Sequence, residues 1–308
     1  VVGSKLKNMP LRLKKNSEIK HYWFMLIPAL VWLIMFQIVP MFGVVMAFQD
    51  YNPGAGFLHS EFVGLENFRY MLELDDVRQA LINTLIIALG KISGNLLIPL
   101  IFALMLNELR QKYMVKFVQT SVYLPHFLSW VILSGIMIQI FGFNGPFNRV
   151  LEMLGFEPVQ FFQQAGLFRG FIIGSDVWKN FGYNSIIYLA ALAGIDGTLY
   201  EAAGIDGASR WRKLWHITLP GIRTTVVLLA ILSLGSVLDA GFDQVFNLYN
   251  PLVYSTGDII DTYVYRAGLQ DLDFSLGTAV GLLKSVVSFI LIVNGYLLAK
   301  KLLGYRIF

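Results

Sequence analysis

The chain has 308 residues, of which 56% are apolar or aromatic and only 14% charged, against roughly 25% in a soluble globular protein. So few charges cannot cover the surface of a water-soluble domain of this size, and lipid is the expected solvent for much of it. Cysteine is absent, which excludes disulfides, thiolate metal sites and cysteine nucleophiles, and the net charge of +4 is spread as a topology signal rather than a nucleic-acid patch.

Residues 1–21 form a basic tail carrying Lys5, Lys7, Arg12, Lys14, Lys15 and Lys20. Residues 22–48 exceed the ~20 apolar residues that a bilayer crossing needs. The stretch is too long for a signal-peptide core and no small-residue cleavage site follows it, so it reads as an anchor. Stretches of crossing length recur at residues 83–106, 117–141, 170–193, 224–246 and 276–299. Pro28, Pro40 and Pro99 fall inside these stretches, which membrane helices tolerate when neighbours satisfy the freed backbone groups.

Sixteen Lys and Arg residues fall in the tail, the second and fourth loops and the C-terminus, against five in the other loops and three inside the spans. Positive charge retained in the cytoplasm puts both termini there and makes the number of crossings even. The expected fold is an all-α polytopic membrane protein with six transmembrane helices, residues 22–308 forming one transmembrane domain. The outer loops differ in character. Residues 49–82 carry Asp50, Glu61, Glu66, Glu73, Asp75 and Asp76, and include a segment, FVGLENFRYMLELDDVRQAL, of helical apolar spacing. Residues 142–169 and 247–275 are rich in Gly, Asn and aromatics. Two readings stand for these loops: simple connections, or a docking surface for an external partner.

The chain lacks a GxxxxGK[ST] phosphate loop, an HExxH motif and a GxSxG elbow, and its histidines (His21, His59, His126, His216) have no ligand spacing. No catalytic residue, metal site or bound cofactor is expected. Energy for uphill transport must come from an ion gradient or from another polypeptide.

Between the fourth and fifth spans lies EAAGIDGASRWRKLWHITLP, Glu201 to Pro220. It reads as a short helix with one small face, Ala203 and Gly207 a turn apart and Ala202, Gly204 and Ala208 beside them. Trp211, Leu214, Trp215 and Ile217 supply apolar anchoring, and Pro220 suits a first helical turn. Such a helix needs lipid headgroups, neighbouring spans or another protein to bury against.

Glu201-Ala202-Ala203, three residues, Gly207, nine residues and Ile217-Thr218-Leu219-Pro220 resemble the EAA loop of binding-protein-dependent ABC importer permeases, with every signature position filled. The resemblance implies the type I importer architecture and a coupling helix seated in a groove of a cytoplasmic ATPase. Glu201 then makes polar contacts at that groove, and Ala202, Ala203, Gly207 and Ala208 give the close fit. PMFGVVMAFQDYNPGAGF, FVGLENF, YLPHFLSWVI and LAALAGIDGTLYEAAGIDGAS resemble sugar permeases of the maltose-importer type, most of all the branch for polysaccharides and oligosaccharides that includes the alginate importer. The first outer loop departs from the larger maltose-type permease, being too short for a folded extracytoplasmic domain. The resemblance implies a bacterial inner-membrane location, a second and different permease subunit, two ATP-binding subunits that hold ATP and Mg, an extracytoplasmic solute-binding protein and a saccharide cargo. It implies no nucleic acid.

Charges inside the spans need partners, since burying one unpaired in hydrocarbon costs roughly 2.5–3.5 kcal/mol on insertion scales. Asp239 and Asp243 are four apart in the fifth predicted span, hence on one helix face, with Phe242, Gln244, Asn247 and Tyr249 nearby. Three readings stand: a cavity wall for saccharide, structural pairing, or a proton relay. Asp176 and Lys179 are spaced to pair along one helix, while Lys91 and Lys284 lie deeper and need distant partners. Asn184 is a further pathway candidate, with Gln37, Asn180 and Tyr183 weaker ones. The leading expectation is a permease subunit of an ATP-driven oligo- or polysaccharide importer, of an acidic, alginate-like cargo if the branch resemblance carries. The rivals are an ion-coupled secondary sugar transporter using Asp239 and Asp243, and a membrane enzyme acting on lipid-linked sugar.

Overall fold

In hydrocarbon every backbone N–H and C=O must be satisfied within the segment, so long apolar stretches become helices. The structure, a computed structural model, describes residues 11–109 and 111–303. The start of the basic tail, residues 1–10, lies outside the described residues. Helix α1 (Leu11–Leu33) passes through a π turn (Ile34–Ile38) and α2 (Val39–Met41) into a 3₁₀ segment (Phe42–Phe48). A short antiparallel pair, β1 (Gln49–Asp50) and β2 (Glu61–Phe62), closes the next loop, with Gln49 opposite Phe62. Then come α3 (Glu66–Glu73), α4 (Asp75–Asn107), α5 (Lys112–Tyr123), α6 (Trp130–Phe141), α7 (Pro146–Met153), α8 (Ala165–Ala193) and α9 (Gly197–Ile205). The chain continues through α10 (Arg210–Lys213), a π turn (Leu214–Thr218), α11 (Leu219–Leu234), α12 (Phe242–Leu248), α13 (Tyr254–Gly257), α14 (Ile260–Tyr265) and α15 (Phe274–Leu303).

Among the described residues, five helical segments are long and apolar enough to cross a bilayer: Tyr22–Phe48, Asp75–Asn107, Trp130–Met153, Arg210–Leu234 and Phe274–Leu297. A sixth, Ala165–Ala193, meets the same measure taken with α9, from which it is bent by 66°. Two predicted spans need correction. The segment at 117–141 is broken by a 3₁₀ turn (Leu124–Phe127) between α5 and α6 that carries Pro125, whose ring removes a backbone donor. The segment at 224–246 ends as a helix at Leu234, and Gly241 takes the left-handed conformation at φ +84° before α12 starts.

The π turns at Ile34–Ile38 and Leu214–Thr218 each stand just before a proline. The amide of Val39, preceding Pro40, donates to Ile34 O, and that of Leu219, preceding Pro220, donates to Leu214 O. Widening the helix by one residue relieves the clash between a proline ring and the carbonyl one turn back. The chain thereby runs through both prolines without breaking.

The most extensive helix contact joins α4 to α8. It rests on a small-residue seam: a Cβ on Gly90 would meet Ile173 Cδ1 at 2.5 Å, and one on Gly94 would meet Val177 Cγ2 at 2.4 Å. Lipid supplies no hydrophobic drive between helices, so close backbone approach through glycines does the packing. One core cluster gathers Ile87, Leu133, Phe168, Ile172 and Val245, and a second gathers Met71, Val77, Ile260, Tyr263 and Leu276. A third, Ala103, Tyr188, Leu192 and Ile222, ties α4, α8 and α11 together at the end near α9. Residues 22–41 include no buried residue, whereas the following 3₁₀ segment packs on α15.

Candidate functional site

The loop between α8 and α11 is built as a rigid spur. Asp196 caps the start of α9, its side chain accepting the Thr198 amide at 2.9 Å. That hydrogen bond holds the Asp196 carboxyl below the usual carboxylate range. At the other end the Ala208 amide donates to Ala203 O at 2.9 Å and the Gly207 amide to Gly204 O at 3.1 Å, with Gly207 at φ +71°. This is the six-to-one and five-to-two pairing of a Schellman cap, which favours glycine at that position. Gly207 therefore ends the helix. Among the described residues, its neighbours in sequence aside, no atom lies within 4 Å of its Cβ position.

The spur is also fastened to the next helix. Lys213 Nζ donates to Tyr200 O at 3.0 Å, and the Tyr200 hydroxyl pairs with Thr218 Oγ1 at 2.9 Å. Ala203 and Ala208 are half-buried and, with Asp206, Arg212, Lys213 and His216, border a hollow of about 330 Å³. Glu201, Ala202 and Gly207 are exposed, Ile205 is 88% exposed, and no residue of α9 is buried. The five expected coupling residues thus divide between the face turned toward α10 and the face left open.

Asp239 and Asp243 do not share a helix face. Asp239 lies in the turn after α11, its carboxylate accepting the Gly241 amide at 3.1 Å, while Asp243 is exposed in the first turn of α12. The paired-carboxylate basis for a proton relay is lost with the helix that was to carry it. Asn247 bonds locally, donating to Asp243 O at 2.7 Å. Phe242 stacks on Phe246 at 5.1 Å, Phe246 meets Tyr265 at 4.9 Å, and Tyr249 lies 5.1 Å from Tyr254. The expected residues Phe242 and Tyr249 are therefore parts of an aromatic run that also takes in Phe246, Tyr254 and Tyr265.

Arg266 anchors this run from behind. It ion-pairs with Asp258 at 2.7 Å and lies 4.5 Å over the Tyr254 ring. Burial opposes its charge, yet the hydrogen bond and charge of Asp258 prevail and hold the guanidinium above its ordinary value. Burial pushes the Tyr249 and Tyr263 phenols up to about 12.

Within the bundle Asp176 and Lys179 do not pair with each other. Asp176 turns to Lys91, Oδ1 to Nζ 3.5 Å, and accepts from Asn95 Nδ2 at 2.8 Å, while Lys179 donates to His126 O at 3.0 Å. Asn184 Nδ2 donates to Asn95 Oδ1 at 3.1 Å. Lys284 pairs with Asp261. Asp176, Asn180 and Asn184 recur every four residues, a polar stripe on α8. Beside it the His126 and Tyr183 rings stack at 3.9 Å and 3° apart, His126 Nδ1 lying 3.0 Å from Asn180 Oδ1. The sequence names Gln244 only as a neighbour of the two carboxylates and His126 only as a histidine without ligand spacing, and Asn95 carries no sequence expectation. The four-residue spacing of Lys91 to Asn95 and of the α8 stripe was the signal available.

With the fold and this geometry in view, the comparisons are specific. A family model described as "Binding-protein-dependent transport system inner membrane component" matches residues 95–304. The chain is 43% identical over 283 residues to protein LplB of Bacillus subtilis (strain 168), covering 92% of this chain and 89% of that one. It is 40% identical over 304 residues to the polygalacturonan/rhamnogalacturonan transport system permease protein YteP of the same organism, covering 98% and 94%. A chain in the crystal structure of a bacterial alginate ABC transporter, in complex with alginate pentasaccharide-bound periplasmic protein, superposes with a TM-score of 0.83 at 36% identity, covering 92% and 96%. The chain belongs to the family of inner-membrane components of binding-protein-dependent transport systems.

Proposed function

We propose that this chain is one permease subunit of an ATP-driven importer of oligo- or polysaccharides, with an acidic, uronate-containing cargo. The observation that carries the reading is the spur at Gly197–Ile205: capped at both ends, fastened through Tyr200 to Lys213 and Thr218, and bare on its outer face. A helix so held transmits displacement instead of absorbing it. The cargo class is supported by the relatives' transport of polygalacturonan and alginate, and by side chains suited to sugars. Flat rings (Tyr183 on His126, Phe242 on Phe246) stand with hydrogen-bonding groups (Asn180, Asn184, Asp239), and Tyr183 is exposed in the single chain.

The mechanism follows. The spur lies on the cytoplasmic side, as the basic loops indicate. Glu201 and the open face at Ala202 and Gly207 seat in a groove of an ATPase subunit, which holds the ATP and Mg. Closure of two ATPases pulls the spur, and its ties to α11 convert that pull into rotation of the helices against those of a second, different permease. Access to a central site at the α8 stripe and the α11–α12 break then alternates between the two sides. A solute-binding protein delivers cargo to the outer loops. The chain performs no covalent chemistry. The unburied stretch at 22–41 is solvated by lipid or by the second permease.

The test is co-purification in detergent. A soluble ATPase should accompany the chain and be lost when Glu201 and Ala202 are changed to Arg. Retention of the ATPase by that variant, with normal uptake of oligogalacturonate in proteoliposomes, would overturn the coupling assignment.

A further inference from the structure

We propose that Lys91 is a positioning residue of the transport pathway, tethering the break between α11 and α12 to α4 and α8 and so setting where Asp239 and Phe242 stand. Its premise that these two residues meet cargo is the reading proposed above.

The break creates a backbone problem. Helix α11 stops at Leu234 and α12 starts at Phe242, so carbonyls between them lack helical partners. Ala240 is fully buried, where water cannot satisfy its carbonyl. Lys91 Nζ donates to that carbonyl at 2.7 Å, from a residue 149 positions away in sequence. The same ammonium donates to Gln244 Oε1, in the first turn of α12, and faces Asp176 Oδ1 at 3.5 Å. Three acceptors thus surround an ammonium that carries three donors.

Each partner is fixed in turn. Gln244 Nε2 donates to Ile172 O and Ser175 Oγ, both at 2.8 Å, which pins the start of α12 to α8. Asp176 Oδ2 is held by Asn95, and Asn95 by Asn184. One chain of side chains therefore runs from the α8 stripe to the carbonyl next to Asp239. Gly241 completes the fit: at φ +84° it holds a backbone conformation that favours glycine, and a Cβ there would lie 2.8 Å from Lys91 Nζ and press on the ammonium. An ion pair needed merely for charge balance would be satisfied by Asp176 alone. The two contacts to the break are what charge balance leaves unexplained.

This chain has no cysteine of its own, so within it only introduced cysteines take a label. In the purified complex, spin labels at Ser236→Cys on the break and Gly174→Cys on α8 report the tether. Labels at Leu97→Cys on α4 and Ile187→Cys on α8 serve as a control pair. The decisive variant is the double change Lys91→Met with Asp176→Asn, which removes both charges and leaves no orphaned carboxylate. The expected result is a broadened or displaced 236–174 distribution with an unchanged 97–187 distribution, and Gln244→Met with Lys91 intact should reproduce it. A 236–174 distribution as narrow as in the parent protein, in the double variant or in Gln244→Met, overturns the tether. Uptake of oligogalacturonate addresses the premise separately. In Gln244→Met, which leaves the α8 stripe untouched, a half-saturating concentration raised about tenfold with little change in basal ATP hydrolysis supports cargo contact at Asp239 and Phe242. Displaced labels with unaltered uptake would leave the tether standing and remove that premise.

Discussion

Gly94 and Val177 meet so closely that a Cβ on the glycine would lie 2.4 Å from Val177 Cγ2. Four residues earlier Gly90 meets Ile173 in the same way, so the α4–α8 seam is a ladder of two glycines against two β-branched side chains. Lys91 and Asn95 each follow one of these glycines in sequence, which ties the position of the polar network to the closeness of this packing.

Overpacking this seam should therefore be felt as lost stability. Gly94→Ala should cost about 1–3 kcal/mol, the range for forcing an extra group into a packed contact. A Gly94→Ala, Val177→Ala double variant should recover part of that loss. Thermal unfolding of the detergent-solubilised complex checks both, and equal melting of Gly94→Ala and the parent chain would contradict the ladder.

Gly207 separates two roles that a single substitution would confuse. Any L-residue at φ +71° is strained by about 1 kcal/mol, whatever its size, and the surrounding space in this chain is open. Gly207→Ala and Gly207→Trp should thus destabilise the chain alike. If the open face seats against an ATPase, ATP-driven uptake should fall much further with Trp than with Ala. Equal uptake in the two variants would return Gly207 to a purely local role.

The Asp196 cap predicts a pH effect with a definite sign. Its carboxyl is depressed in the fold, so its support of α9 is complete above the ordinary carboxylate value and is lost as pH falls through the depressed one. Protection of the segment 196–206 against hydrogen exchange, taken relative to the intrinsic rate at each pH, should hold at mildly acidic pH and fall only below the usual carboxylate range. Asp196→Asn keeps an acceptor and should hold its protection across that range, whereas Asp196→Ala should show reduced protection that does not change with pH.

The Tyr249 and Tyr263 phenols titrate in the opposite sense. Being pushed up to about 12, they stay protonated in the fold after the unfolded chain has begun to ionise near pH ~10. Stability should fall as pH rises from there toward their folded values, and Tyr249→Phe with Tyr263→Phe should blunt that fall. Melting curves between neutral and strongly alkaline pH measure it.

Much of this architecture is legible from local signals. Runs of apolar residues long enough to cross a bilayer, and the EAA pattern from Glu201 to Pro220, need no knowledge of what lies beside them, because span length and helix capping depend on neighbours a few residues away. The spacing could also have exposed the stripe of Asp176, Asn180 and Asn184.

Partner choice and helix termination inside the membrane lie beyond such signals. Hydropathy over 224–246 is continuous, yet α11 stops at Leu234, and what makes the stop tolerable is an ammonium 149 residues earlier in the chain that satisfies the Ala240 carbonyl. Asp176 has Lys179 three residues along its own helix and still turns to Lys91, because the α4–α8 glycine seam brings that lysine into the buried space. A one-dimensional pattern records which polar groups need partners in lipid. Which partner each one finds follows from how closely two backbones pack, and that exists only once the helices have met.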